Sequence, residues 1–128
     1  MTESLSRDAG HAILRLEYEL LVRDFLDLLD EGCWRELRAF LHDDVRFVTS
    51  PHRRVEGRER VVSAVAEIRE AFEIFDVRVI EMGFGSGSVF AQLQLSIGRS
   101  DDQRVEVLSF ARFQMRDMQI VEWTQTYA

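Results

Sequence analysis

Apolar side chains recur at Leu14, Tyr18, Leu21, Phe25 and Leu28, at spacings of four, three, four and three, which predicts one face of a long amphipathic helix. Leu16, Leu20, Val22, Leu26 and Leu29 widen that stripe, so the helix is expected to be covered on more than one side. Gly32 stands where a glycine would end it. Trp34, Leu37, Phe40 and Leu41 predict a short second helix, broken by the turn-favouring residues His42, Asp43 and Asp44. Val45 to Thr49 reads as a strand that Pro51 ends, because proline cannot donate to a ladder. Gly57-Arg58-Glu59 precedes a third helix carrying Val61, Val65, Ile68 and Phe72, with its far end near residue 74.

From there the period changes from helical to alternating. Phe75 to Met82, Val89 to Ile97, Arg104 to Gln114 and Gln119 to Tyr127 are strand-like runs. Their connections, Gly83 to Gly87, Gly98 to Asp102 and Arg116 to Met118, are short enough to join antiparallel neighbours. Helices and one strand followed by a meander is an α+β plan. At 128 residues the chain fits a single domain over 1–128, with the polar stretch 1–9 expected to fray; no internal repeat or low-complexity tract interrupts it.

Composition narrows the function classes. Acidic residues outnumber basic ones 23 to 16, and a net charge of −7 repels phosphate backbones and anionic headgroups, so neither nucleic acid nor membrane is an expected partner. Every one of the 16 basic residues is arginine, which excludes Schiff-base chemistry on a lysine of this chain. The single cysteine, Cys33, has no internal disulfide partner, and no N-terminal apolar run has the length of a signal-peptide core or a membrane span. A reducing, cytoplasmic setting is the expectation. The histidines His11, His42 and His52 lack metal-ligand spacing, so no metal and no other cofactor is expected. Gly83, Gly85 and Gly87 lie between strands, a hairpin context rather than that of a nucleotide loop.

Three stretches carry a resemblance. "FLDLLDEGCWRELRAFLHDDV" from Phe25, "VEGRERVV" from Val55 and "FARFQMRDMQIVEWTQTY" from Phe110, in this order and spacing, resemble the SnoaL-like, nuclear-transport-factor-two-like superfamily, whose relatives include polyketide cyclases, ketosteroid isomerase and limonene epoxide hydrolase. The resemblance covers residues 18–127. It implies a cone-shaped α+β barrel: three N-terminal helices packed on a curved, mostly antiparallel sheet around a pocket. Met118 stands at a turn position where the family commonly has glycine.

The family's chemistries do not carry over residue by residue. Ketosteroid isomerase, a worked case of carboxylate pKa tuning, needs a carboxylate base and an oxyanion hole of tyrosine and protonated aspartic acid. The matching positions here are Thr49 or Ser50, Phe25 and Ser109. The aspartate and Arg-x-Asp positions of the epoxide hydrolases fall on Gln125 and around Ala91 to Gln94. Strand alternation, with the orientation the resemblance implies, places Ser109, Trp123, Gln125 and Tyr127 in the pocket together with Tyr18, Phe25 and Phe47, a mostly neutral ligand-binding set. His52, just past a strand end at the pocket mouth, is the remaining acid–base candidate and the one proposed catalytic residue.

The expected function is therefore a pocket for a small hydrophobic metabolite, polycyclic ones included, with isomerase, cyclase or dehydratase-type chemistry resting on His52. The competing reading is a non-catalytic ligand-binding or assembly subunit, as in ring-hydroxylating dioxygenase small subunits, which look similar in the first two helices. Phe90, Leu108 and Phe110 fall on the face opposite the pocket set, and the resemblance implies a homodimer that covers this outer sheet face.

Overall fold

The computed structural model describes residues 2–127, with side chains described from residue 9. Helices α1 (Thr2–Glu31), α2 (Trp34–Leu37, continued by a 3-10 turn over Arg38–Phe40) and α3 (Arg58–Glu70) pack against one face of a curved sheet. The strands are β1 (Leu41–Ser50), β2 (Arg53–Glu56), β3 (Ile74–Gly85), β4 (Ser88–Gly98), β5 (Val105–Arg116) and β6 (Gln119–Tyr127). They lie in the order β2-β1-β6-β5-β4-β3. The β1–β6 pair is parallel and all the other pairs are antiparallel. This is the cone-shaped α+β arrangement expected from the sequence.

The buried face of α1 is Val22, Phe25, Leu26 and Leu29, and Tyr18 marks where it first meets the sheet, its ring 6.1 Å from that of Phe84. Residues 9–17 are exposed all round, and so is Leu20, so the expected cover for Leu16 and Leu20 is not found: they precede or flank the part of the helix that reaches the sheet. The fraying expected over 1–9 falls, Ala9 apart, outside the residues whose side chains are described.

Gly32 ends α1 as its position predicts. It sits at φ +73°, and the N–H groups of Gly32 and Cys33 donate to the carbonyls of Leu29 and Leu28, the pattern of a left-handed glycine cap. Arg69, in the last turn of α3, donates to the same helix end, at 3.3 Å to the Leu29 carbonyl and 2.7 Å to that of Asp30. A cation there also complements the negative end of the helix dipole. The Asp30 carboxylate in turn accepts from the Val77 N–H at 2.7 Å, which fixes α1 over β3.

Two local expectations are corrected. His42, Asp43 and Asp44 do not break the chain into a turn but belong to β1; the register against β6 slips between Leu41 and Arg46, and the Asp44 N–H donates to His42 Nδ1 at 3.1 Å. Their turn-forming chemistry is used inside an irregular strand. Beyond Pro51 the chain also resumes a ladder: Pro51 and His52 make a turn, and β2 folds back on β1 with Val55 opposite Phe47. Four residues, three of them charged, gave β2 no alternating signal of its own.

The sheet bends where β3 slips register against β4 between Val79 and Glu81, leaving Ile80 turned outward. Its concave side holds the core. Phe25 lies edge-on to Phe113 and Trp123, with ring centroids at 5.7 and 5.2 Å, and Phe47 meets Trp123 at 4.3 Å.

Candidate functional site

Alternation along β6 turns Trp123 and Gln125 to the concave side, and the same alternation along β5 does so for Ser109, Ala111 and Phe113. Because Ala111 pairs with Gln125 and Ser109 with Tyr127, the Gln125 and Ser109 side chains are diagonal neighbours on one face. They form a hydrogen-bonded chain. The Trp123 indole N–H donates to Gln125 Oε1 at 2.8 Å, the Gln125 amide nitrogen donates to Ser109 Oγ, and the Ser109 hydroxyl donates to the Thr126 carbonyl at 2.9 Å.

That chain fixes the amide. Indole nitrogen only donates, so the atom facing Trp123 must be the Gln125 oxygen. One N–H and one oxygen lone pair of the amide stay unused, on a residue only 5 % exposed. Gln125 lines a small cavity between the helices and the sheet, which Leu29 of α1, Val65 and Ile68 of α3, Phe75 of β3, Leu93 and Leu95 of β4, Phe47, Trp123 and Tyr127 enclose. Its volume is about 40 Å³, room for about one water molecule.

The sequence-derived set is thus divided. Phe47, Trp123, Gln125 and Tyr127 line the cavity, and Ser109 lies behind Gln125 as its acceptor. Phe25 is fully buried beneath Trp123 and Phe113 and forms floor rather than wall. Tyr18 stands apart, against Phe84 beside the β3–β4 turn. Desolvation raises the Tyr127 phenol above its ordinary 10.0, so its hydroxyl is a neutral donor and acceptor at physiological pH.

His52 is exposed at the tip of the β1–β2 hairpin, where its backbone N–H donates to Ser50 Oγ at 3.3 Å. It lines a second depression, a groove of about 380 Å³ between that hairpin and α3, with Thr49, Arg53, Arg54, Val55 and Ala64. Groove and cavity share Phe47 and Ile68 as a common wall. No carboxylate lines either space among the described residues. The groove escaped sequence reasoning because β2 did, and Leu93 and Leu95 of the cavity were not singled out within the alternating run of β4.

Cys33 follows α1, and its thiol donates weakly to a Glu31 carboxylate oxygen at 3.6 Å. Desolvation and then that carboxylate raise it above its ordinary 9.0, which keeps it a thiol. Among the described residues no three His, Cys, Asp or Glu side chains converge as a metal set, and no helix is long and apolar enough to cross a membrane.

The architecture, helices closing the concave side of a curved sheet over a partly polar interior, defines a pocket-bearing α+β cone. A family model described as a SnoaL-like domain matches residues 22–123, and the chain belongs to the SnoaL-like family. Solved structures agree on the fold. An LEH-like epoxide hydrolase from M. tuberculosis superposes with a TM-score of 0.77 at 19 % identity, covering 89 % of this chain and 84 % of the other. A protein assigned as a SnoaL-like polyketide cyclase from Jannaschia sp. CCS1 gives 0.76 at 23 % identity, covering 88 % and 86 %. A de novo designed protein with a curved β-sheet gives 0.74 at 16 % identity, covering 89 % and 87 %. The same cone is therefore built with and without a natural history, and its function has to be argued from the side chains. No curated protein matches the sequence.

Proposed function

We propose that this protein binds a small, largely apolar metabolite that presents a carbonyl or hydroxyl group to the Gln125 amide. The observation that carries the reading is the Trp123–Gln125–Ser109 chain: three buried polar groups hold one amide rigidly at the wall of an otherwise apolar cavity, with hydrogen-bonding capacity left over. A buried polar network is costly unless satisfied, and a spare donor facing a void is what a ligand oxygen completes.

A cavity of about 40 Å³ takes a single functional group rather than a ring system. The remainder of the ligand lies in the groove of about 380 Å³, reached past Ile68, which is 43 % exposed and lines both spaces. A polycyclic body fits this division, with its polar tip at Gln125 and its bulk along Phe47. His52 is the acid–base group of the reading, since it is the titratable imidazole of the groove. Isomerase, cyclase or dehydratase-type proton transfer then acts on the part of the ligand outside the small cavity. The epoxide-hydrolase and ketosteroid-isomerase routes are disfavoured by the neutral Gln125 and Ser109 at the positions matched to their carboxylates.

The test is native mass spectrometry of freshly purified protein, with denaturing extraction of whatever accompanies it. One oxygenated apolar molecule per subunit is expected, lost in Gln125→Leu; its undiminished retention in that variant would sink the reading. If His52→Ala binds the molecule but no longer turns it over, the catalytic assignment stands. Equal turnover removes it.

A second reading, a binding or assembly subunit without turnover, is favoured by the outer sheet face, where Phe90, Leu108 and Phe110 are exposed together. We place a second copy of the chain there, as a homodimer.

A further inference from the structure

Arg53 occupies an unusual position for an arginine. Val55 of β2 pairs with Phe47 of β1, and these two side chains face α3. Arg53, two residues before Val55, lines the groove beside α3, as does Arg54, which forms an ion pair with Glu56 at 3.0 Å. Among the described residues Arg53 makes no ion pair and no side-chain hydrogen bond. Beyond Val55 and Ala64 lies a separate depression lined by Glu59, Arg60 and Glu67.

We propose that the groove selects amphipathic monocarboxylates, with the Arg53 guanidinium clamping the carboxylate and the apolar body lying on Phe47 and Ile68 toward the cavity. The inference rests on the binding reading above and names its ligand class. A guanidinium presents a planar fork that fits a carboxylate at two points. An unpaired arginine in this groove, on a chain of net charge −7, suits a single negative charge rather than a polyanion, which the overall field repels. The ligand then spans two recognition points, an anionic head at the rim and an oxygen function at Gln125, and the apolar wall between them sets its length.

The test uses 2-naphthoate and its neutral counterpart 2-naphthylmethanol, titrated calorimetrically into the full chain. Naphthoate should bind about tenfold more tightly, the size of a charge-assisted hydrogen bond. Arg53→Ala should remove that advantage and leave the alcohol unchanged; Arg53→Lys should keep part of it, and Arg116→Ala, at the far end of β5, all of it. Equal affinity of the two probes, or an Arg53→Ala loss shared by both, overturns the carboxylate clamp while leaving the binding reading intact. If neither probe binds at millimolar concentration, both the clamp and the reading fail. As Arg53 is exposed, its variants should fold, which circular dichroism checks.

Discussion

Gln125 holds together a buried hydrogen-bonded chain, and under the proposed function the same amide also meets the ligand. Replacing Gln125 by leucine leaves the Trp123 N–H without its acceptor, a cost of about 1–3 kcal/mol for a group so stranded, while the Ser109 hydroxyl keeps the Thr126 carbonyl. Ser109→Ala removes both the acceptor of the Gln125 amide and the hydroxyl that donates to the Thr126 carbonyl. The two substitutions should therefore be strongly non-additive in urea unfolding, with the double variant losing clearly less than the sum; additive losses would mean that the chain does not act as a unit. Tyr127 gives a pH signature. Its folded-state pKa is raised by desolvation above the ordinary 10.0, so the folded protein holds that proton more tightly than the unfolded chain. The stability linked to it is fully present below about pH 10 and declines as pH rises through the folded value. Alkaline unfolding of Tyr127→Phe should lack that component.

Among the elements, the β5–β6 hairpin turns on Asp117 and Met118, both with positive φ, 52° and 62°. A two-residue turn of this hand suits glycine at its second position, and methionine there is strained. Met118→Gly should raise stability by about 0.5–1 kcal/mol in chemical denaturation. Glycine is not interchangeable in the other direction: a Cβ on Gly98 would stand 2.5 Å from the Gln103 carbonyl oxygen, so Gly98→Ala should destabilise the β4–β5 connection. Long elements were legible because their periods are sustained. The last three strands were expected within a residue or two of where they lie, and Gly32 marked the end of α1. What escaped was short or set by tertiary contacts. β2 is a strand only because β1 pairs with it, and His42 to Asp44 are strand because β6 runs alongside. The site followed the same rule. Strand alternation, given the orientation the resemblance implied, brought Ser109, Trp123, Gln125 and Tyr127 together, whereas Tyr18 went astray because helix periodicity says which face is apolar but not which end of the sheet it meets.

At the level of the whole molecule, the two sheet faces differ in kind. The concave face is closed by helices; the outer one is split between a polar lattice, in which Glu106 accepts from Ser96 and Gln94, and an apolar area where Phe90 and Phe110 are 45 % and 44 % exposed. The polar half fixes register, and the apolar half is where the second copy is placed. Sedimentation at micromolar concentration should give a dimer, and Phe110→Glu a monomer with unchanged circular dichroism, because a charge at the centre of a self-complementary contact meets its own copy. A monomer for the unmodified chain would remove the dimer.

The parallel pairing of β1 with β6 has a consequence for assembly in time. The Arg46–Glu122 ion pair, at 2.5 Å, joins positions 76 residues apart, and Phe47 stands opposite Trp123 in the same ladder. The β1–β2 hairpin, which carries the groove, has no place in the sheet until the last strand is made. Such distant closure slows folding and leaves the apolar side of β1 waiting for cover. The hairpin with Arg53 and the strand with Gln125, the two halves of the proposed binding surface, are therefore brought together in one step, when the nine residues of β6 dock between β1 and β5.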